Sequence, residues 1–245
     1  MLGEALTPLL ATGDPVFAED LVANLALRER ATAGRPSVTA VMISSADGHA
    51  TVDGRSTGLG HPADRALLRS LRAGVDAVLV GPGTIRAERY ANLLDAGPRA
   101  ARQASGWASL PTIATISRSG DVPWDVGLFE EPEARVVVFT DAVITPPPTA
   151  AQVMVVQRTA LTEVLAHLHD RLGVRAVLCE GGPTLLRALA AADLIDTLFM
   201  TIAPLLTAGD GPAALSGSEL DPPLRLALAA VYGAGDHAFL QYQRP

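Results

Sequence analysis

The chain has 245 residues, enough to enclose a full core as one domain or two, with a net charge of −7 and only 4% aromatic residues. An acidic balance without a dense Lys/Arg cluster excludes a phosphate-backbone surface, and few aromatics leave no base-stacking platform, so no nucleic-acid partner is expected. A single cysteine, Cys179, excludes an internal disulfide framework and every multi-cysteine zinc pattern, so no metal is expected and a reducing, cytoplasmic setting fits.

In chain order, Met1 to Glu4 lack a basic leader pattern, and no signal peptide is expected. Residues 1–36 read as an N-terminal extension with one amphipathic helix, roughly Phe17 to Ala31. Residues 37–245 read as a single domain in which Val- and Ile-rich strands alternate with helices, which indicates an α/β sheet, mostly parallel. The expected strands are Val38–Ile43, Ala77–Val80, Thr112–Ile116, Arg135–Phe139, Val153–Val156 and Val174–Cys179. Two crossover helices are well punctuated: one opens on Pro62 and stops at Gly74, the other runs from Leu161 to Leu172 and stops at Gly173. Thr145 to Pro148 is a stiff loop. The apolar run from Leu185 to Leu206 is broken by Arg187, Asp193, Asp196 and Pro204, so no membrane partner is expected. Thr197–Ile202 and His237–Tyr242 form an expected antiparallel edge, separated by the glycine-rich stretch around Gly209 to Gly217.

The strand ends carry the chemistry. Val174–Cys179 runs into Glu180-Gly181-Gly182-Pro183 and then a helical stretch, a geometry that lets backbone N–H groups approach a phosphate at a helix N-terminus. Paired glycines also make an ordinary tight turn, and both readings stand on this motif alone. Val80-Gly81-Pro82-Gly83-Thr84 and Ile116-Ser117-Arg118-Ser119 end two further strands and supply other parts that a dinucleotide needs.

Taken in order with Ser44-Ser45-Ala46-Asp47-Gly48, these motifs resemble the reductase domain of riboflavin biosynthesis over about residues 37–243. The resemblance implies a dihydrofolate-reductase-like three-layer fold and an NADPH-dependent pyrimidine reductase of the 5-amino-6-(5-phosphoribosylamino)uracil type, homodimeric as its relatives tend to be. On this basis Gly81, Gly83 and Thr84 face the cofactor, and Gly181, Gly182, Thr184 and Leu185 form the pyrophosphate turn and helix start. Ser117 and Arg118 offer a hydroxyl and a guanidinium to the 2′-phosphate of NADPH. Each has a plainer reading beside it: a helix cap for Thr84, a solvated loop for Ser117 and Arg118. Asp47 and Glu180 are the candidate catalytic carboxylates. Asp47 equally suits a turn carboxylate bonded to its own loop. Ser56, Arg72 and Glu88 fall at substrate-contact positions, with surface pairing the alternative for Arg72 and Glu180. His49 and His61 receive no role, and Cys179 reads as a small core residue.

The implied chemistry is hydride transfer from nicotinamide to a ribosylamino group held as its open-chain imine, with Asp47, Glu180 or water supplying the proton. Two departures bear on the substrate. Val41 stands where the family's bifunctional members carry a lysine, and Glu88-Arg89-Tyr90-Ala91-Asn92 replaces their turn and phosphate-binding arginine, with Arg86 or Arg89 as substitutes. The zinc deaminase motifs of the bifunctional members are also missing from the sequence, so the expectation is a stand-alone reductase or a relative recruited to another substrate. A dihydrofolate, another pteridine or a small imine or carbonyl compound is the alternative acceptor, and a non-catalytic NADPH-binding protein the second alternative.

Overall fold

The computed structural model describes residues 14–245, so the opening stretch read for a leader lies outside the described residues. One nine-stranded sheet organises the chain: β1 (Ser37–Ser45), β2 (Ala77–Leu79), β3 (Thr112–Ile116), β4 (Arg135–Thr140), β5 (Gln152–Gln157), β6 (Ala176–Cys179), β7 (Thr197–Ala203), β8 (Ala227–Ala234) and β9 (His237–Gln243). Their spatial order is β5-β4-β3-β2-β6-β1-β7-β9-β8. Every pairing from β5 to β7 is parallel, while β9 runs antiparallel to both β7 and β8. The reversal brings the first residue of β9, His237, to the edge of the sheet where the parallel strands end.

Helices cover both faces, as strands buried on both sides require. On one face lie α1 (Ala18–Asn24), α2 (Pro62–Gly74), α3 (Pro82–Ala87) and α4 (Ala96–Ala104); on the other lie α5 (Leu161–Leu172) and α6 (Pro183–Ala191). Leu67 and Leu71 of α2 meet Val78, Ile113, Val136 and Phe199 on the first face, and Leu165, Leu168, Leu186 and Leu189 meet Val38, Val137 and Val177 on the second. The three-layer α/β architecture and the antiparallel C-terminal edge expected from the sequence are present. At the start of β1, Asp196 accepts both guanidinium nitrogens of Arg35 at 2.7 and 2.6 Å and the Val38 N–H at 2.8 Å.

Two local features differ from the sequence reading. Helix α1 stops at Asn24, seven residues before the expected end. Leu25 and Leu27 are both buried, and a helix cannot turn residues i and i+2 to one face, so the chain uncoils through Ala26, whose φ is +47°. Strand β8 was not anticipated: its sequence ALAAVYGA is alanine-rich, alanine is depleted in strands, and half of its residues are exposed, so no alternation marks it. Helices α3 and α4 were likewise unassigned. Within α4, Arg102 is buried because its guanidinium donates to the carbonyls of Ala108, Ala73 and Val75 at 2.7–2.9 Å.

Candidate active site

A cavity of about 360 Å³ opens at the carboxyl ends of the parallel strands around β1, the place where open α/β sheets bind ligands. Its floor is made by cross-strand pairs. Val41 is registered with Phe199 and Ile43 with Thr201, so these four side chains share a face. Leu67 and Leu68 of α2 close one wall, and Ala50, Thr51 and Gly54 form the mouth. Val41 and Phe199 thus make their part of the floor apolar, as expected from the valine at this position.

On the β6 side of β1, two loops are stitched together. Gly81 N–H donates to the Gly181 carbonyl at 2.9 Å, and Glu180 N–H donates to the Leu79 carbonyl at 3.0 Å. Gly181 has φ +80°, a conformation that a side chain resists, and a Cβ there would lie 3.3 Å from the Met42 methyl. A Cβ on Gly182 would come within 3.0 Å of Thr84 Oγ1. The two positions thus keep backbone bare beside the Thr84 hydroxyl. Helix α6 starts immediately afterwards, with Gly182 as N-cap, Pro183 in its first turn and no side chain satisfying its first N–H groups. Thr184 and Leu185 lie in that first turn. Bare backbone, free N–H groups and the positive end of a helix dipole are the donor set that a diphosphate requires.

Behind these loops is a buried polar knot. Arg72 donates through Nε and Nη2 to the two oxygens of Glu180 at 2.7 and 2.6 Å, and Tyr90 donates its hydroxyl to Glu180 Oε2. The Glu180 side chain is 4% exposed and that of Arg72 is 14% exposed. Burial works against the Arg72 charge, but the facing carboxylate outweighs it and holds the guanidinium above its ordinary value. Burial, reinforced by the Glu180 charge, pushes the Tyr90 phenol well above its usual range. Ser56 and Glu88 also meet: the Ser56 N–H and hydroxyl both donate to Glu88 Oε1, at 3.0 and 2.9 Å.

Of the residues singled out in the sequence, Ser56, Arg72, Gly83, Thr84, Glu88, Glu180 and Gly182 line this cavity, with Gly81, Gly181, Thr184 and Leu185 at its β6 margin. Asp47 stands outside the lining. Its carboxylate accepts from the Ser45 hydroxyl and from the N–H groups of Thr207 and Ala208 at 3.1 and 2.7 Å, which ties the end of β1 to the loop after β7. The Ser45 hydroxyl, followed by those backbone N–H groups, holds Asp47 well below the usual carboxylate range. Ser117 and Arg118 lie at the end of β3, two strands from β6: Ser117 donates to the Asp121 carbonyl at 2.8 Å, and Arg118 is exposed. Arg86 and Arg89 point away from the cavity into surface pairs with Asp121 and Asp125. Cys179 is fully buried, and desolvation pushes its thiol up to about 12.

Sequence reasoning did not pick out Asp64, Thr201, Phe199 or Tyr90 of the lining. Asp64 is the third residue of α2, where an acid is ordinary helix-dipole complement and gives no separate signal.

The sequence matches the family model described as RibD C-terminal domain over residues 36–238. It is 34% identical over 199 residues to the riboflavin biosynthesis protein RibD of Mycobacterium tuberculosis, an alignment covering 79% of this chain and 50% of that protein. The chain thus spans half the length of that relative. It is 27% identical over 221 residues to the 2,5-diamino-6-ribosylamino-4(3H)-pyrimidinone 5′-phosphate reductase of Archaeoglobus fulgidus, covering 86% of this chain and all of the relative. Among solved structures, a pyrimidine reductase-like protein of Corynebacterium diphtheriae superposes with a TM-score of 0.75 at 25% identity, over 93% of this chain and 98% of the other.

Proposed function

The chain belongs to the RibD C-terminal domain family, and from that premise we propose that it is an NADPH-dependent reductase that converts a ribosylaminopyrimidine to the ribitylaminopyrimidine in riboflavin biosynthesis. The observation that carries the reading is the side-by-side placement of a diphosphate-type cradle and an apolar-floored cavity at the ends of β6, β1 and β7. When bound, the nicotinamide supplies two electrons and a hydrogen to the imine carbon of the opened ribosylamino group.

The chain's own residues do the rest. Gly181, Gly182 and the first turn of α6 hold the diphosphate, with Gly81, Gly83 and the Thr84 hydroxyl along the cofactor's flank. Arg118, exposed at the end of β3, meets the 2′-phosphate that distinguishes NADPH from NADH, with Ser117 shaping the loop through its bond to Asp121. Val41, Ile43, Phe199 and Leu68 exclude water from one side of the ring, while Ser56 and Glu88 form the mouth-side polar edge. Glu180, gripped through both oxygens by Arg72, anchors the chain just before the Gly181–Gly182 turn. Asp47 anchors the loop around Thr207. These commitments leave water as the source of the proton for the imine nitrogen.

A second reading, reduction of a dihydropteridine such as dihydrofolate, draws support from Val41, because an apolar floor suits a flat bicyclic ring as well as a single one. The test is loss of the reduced-nicotinamide absorbance with ribosylaminopyrimidine phosphate or dihydrofolate as acceptor, each with NADPH and with NADH. Turnover of the pyrimidine with NADPH preferred is the expected outcome. Turnover of dihydrofolate alone would replace the first reading with the second, and NADPH binding without turnover of either acceptor would overturn both.

A further inference from the structure

The chain contains no lysine, so its 19 fixed cations are all arginines, and those near the cavity can be followed one by one. Arg72 is taken by Glu180, and Arg86 and Arg89 by surface acids. Arg65 is exposed and makes no hydrogen bond or ion pair among the described residues. Its place is set by α2, which runs from the carboxyl end of β1 back to the start of β2, so that its first turn stands at the cavity mouth. Residues 65, 68 and 72 share one stripe of a helix, and Leu68 and Arg72 both line the cavity. Helical side chains lean toward the N-terminus, and Arg65 reaches back over Gly60, where a Cβ would lie 3.7 Å from its Nη1. Gly60 closes the short 3-10 turn Ser56–Leu59, whose first residue lines the cavity.

Inside this rim the uncompensated charge is negative. Glu180 is neutralised by Arg72, but Glu88 is met by Ser56, and Asp64 Oδ1 accepts the Thr201 hydroxyl at 2.7 Å. Burial pushes the Asp64 carboxyl up, opposed by the Thr201 bond and by the charges of His237, Arg65 and His61. An anionic group on the acceptor is therefore repelled from the interior and attracted to the edge. Arg55, which precedes the same turn, faces elsewhere. It exchanges backbone hydrogen bonds with Val52 at 2.9 and 3.1 Å, and residues paired in this way share a face. Val52 packs on Gly58 and Leu59, whereas the lining residues Thr51 and Ser56 alternate to the other side.

We propose that Arg65 is the residue that holds the tail of the acceptor: with the ring on the apolar floor, its guanidinium takes the phosphate ester at the end of the opened sugar and sets the preference for the phosphorylated acceptor. The assignment rests on the pyrimidine-reductase reading and supplies the cation that Arg86 and Arg89 do not. A guanidinium suits the task because its planar fork meets two phosphate oxygens at once.

Calorimetric titration of the full chain, saturated with NADP+, with 5-amino-6-ribitylaminouracil and with its 5′-phosphate checks this, because the two ligands differ only in the tail. The phosphate form should bind tighter by about tenfold, the scale of one charge-assisted hydrogen-bonded pair. Arg65→Ala should bring the two ligands together by weakening the phosphate form alone, and Arg65→Lys, which keeps the charge without the fork, should retain part of the difference. Arg55→Ala removes an equal charge beside the same turn and should leave the ratio within about twofold, as expected of an exposed cation that makes no contact. Equal binding of the two ligands by the unaltered chain, an unchanged ratio in Arg65→Ala, or a ratio lost as fully in Arg55→Ala overturns the assignment. NADPH oxidation with the ribosylaminopyrimidine and with its phosphate separates the two claims. Turnover of both acceptors at equal kcat/KM overturns Arg65 and leaves the reductase reading, whereas a binding preference that Arg65→Ala abolishes, with no NADPH consumed, upholds Arg65 and overturns the reductase.

Discussion

At the scale of single residues, the cavity wall is built from charges whose partners differ in kind. The Arg72–Glu180 pair is buried and bidentate, so removing one partner strands the other. Glu180→Gln should lower unfolding free energy by roughly 3 kcal/mol in urea denaturation, the usual cost of breaking a buried ion pair, whereas Tyr90→Phe should cost about 1 kcal/mol for one hydrogen bond. Asp64 carries the opposite sign. Its folded-state affinity for a proton is raised by burial, so its ionised form opposes folding at neutral pH, and the penalty is relieved as the pH falls through the folded value. Asp64→Asn should therefore raise the melting temperature at neutral pH, with the gap to the unaltered chain closing in acid. A loss of stability would show the carboxylate to be favourably paired.

At the scale of elements, loops and helix starts do the positioning. Gly182→Ala would place a methyl 3.0 Å from Thr84 Oγ1. It should weaken NADPH binding about tenfold in a fluorescence titration, with fold stability nearly unchanged because the clash falls on a side chain at the cavity rim. The loop after β7 depends on Asp47, whose depressed proton affinity adds stability above the ordinary carboxylate range and loses it as the pH falls through the folded value. Asp47→Asn should speed amide exchange at Thr207 and Ala208 without altering exchange in β6. These elements differ in how plainly the sequence announced them. The β6–Gly181–Gly182–α6 turn was legible because apolar strand, paired glycine and proline at a helix start are local signals. Asp64 was not, since its meaning comes from Thr201, 137 residues away in sequence. Strand β8 was hidden for a related reason: an edge strand's pattern is set by what covers it, and here little does.

At the scale of the whole molecule, the segment read as an N-terminal extension is part of the core. Val22, Leu25 and Leu27 are at most 7% exposed and pack into the same cluster as Leu67, Leu71 and Val75, while the Ser37 hydroxyl donates to the Leu27 carbonyl. Each such side chain contributes roughly 1.5–3 kcal/mol, and a domain's whole margin is about 5–15 kcal/mol. A chain beginning at Ser37 should consequently lose most of its cooperative unfolding transition, read by circular dichroism on heating. The family match begins at residue 36, so sequence similarity alone would place a boundary where the structure has a packing interface. The reversed strand β9 carries a different consequence. Because it starts at the end of the sheet where the parallel strands finish, its tight connection to β8 at Gly235 and Asp236 packs against His61 at the head of α2, where a Cβ on Gly235 would lie 3.3 Å from the imidazole. The neighbour of α2 on the β7 side is therefore a hairpin tip, which has room for added length, whereas the β6 side of the cavity is locked by glycine contacts. Variation in this architecture has an easy direction: a longer tip can reshape the entrance for a new acceptor while the grip on the electron donor stays as it was.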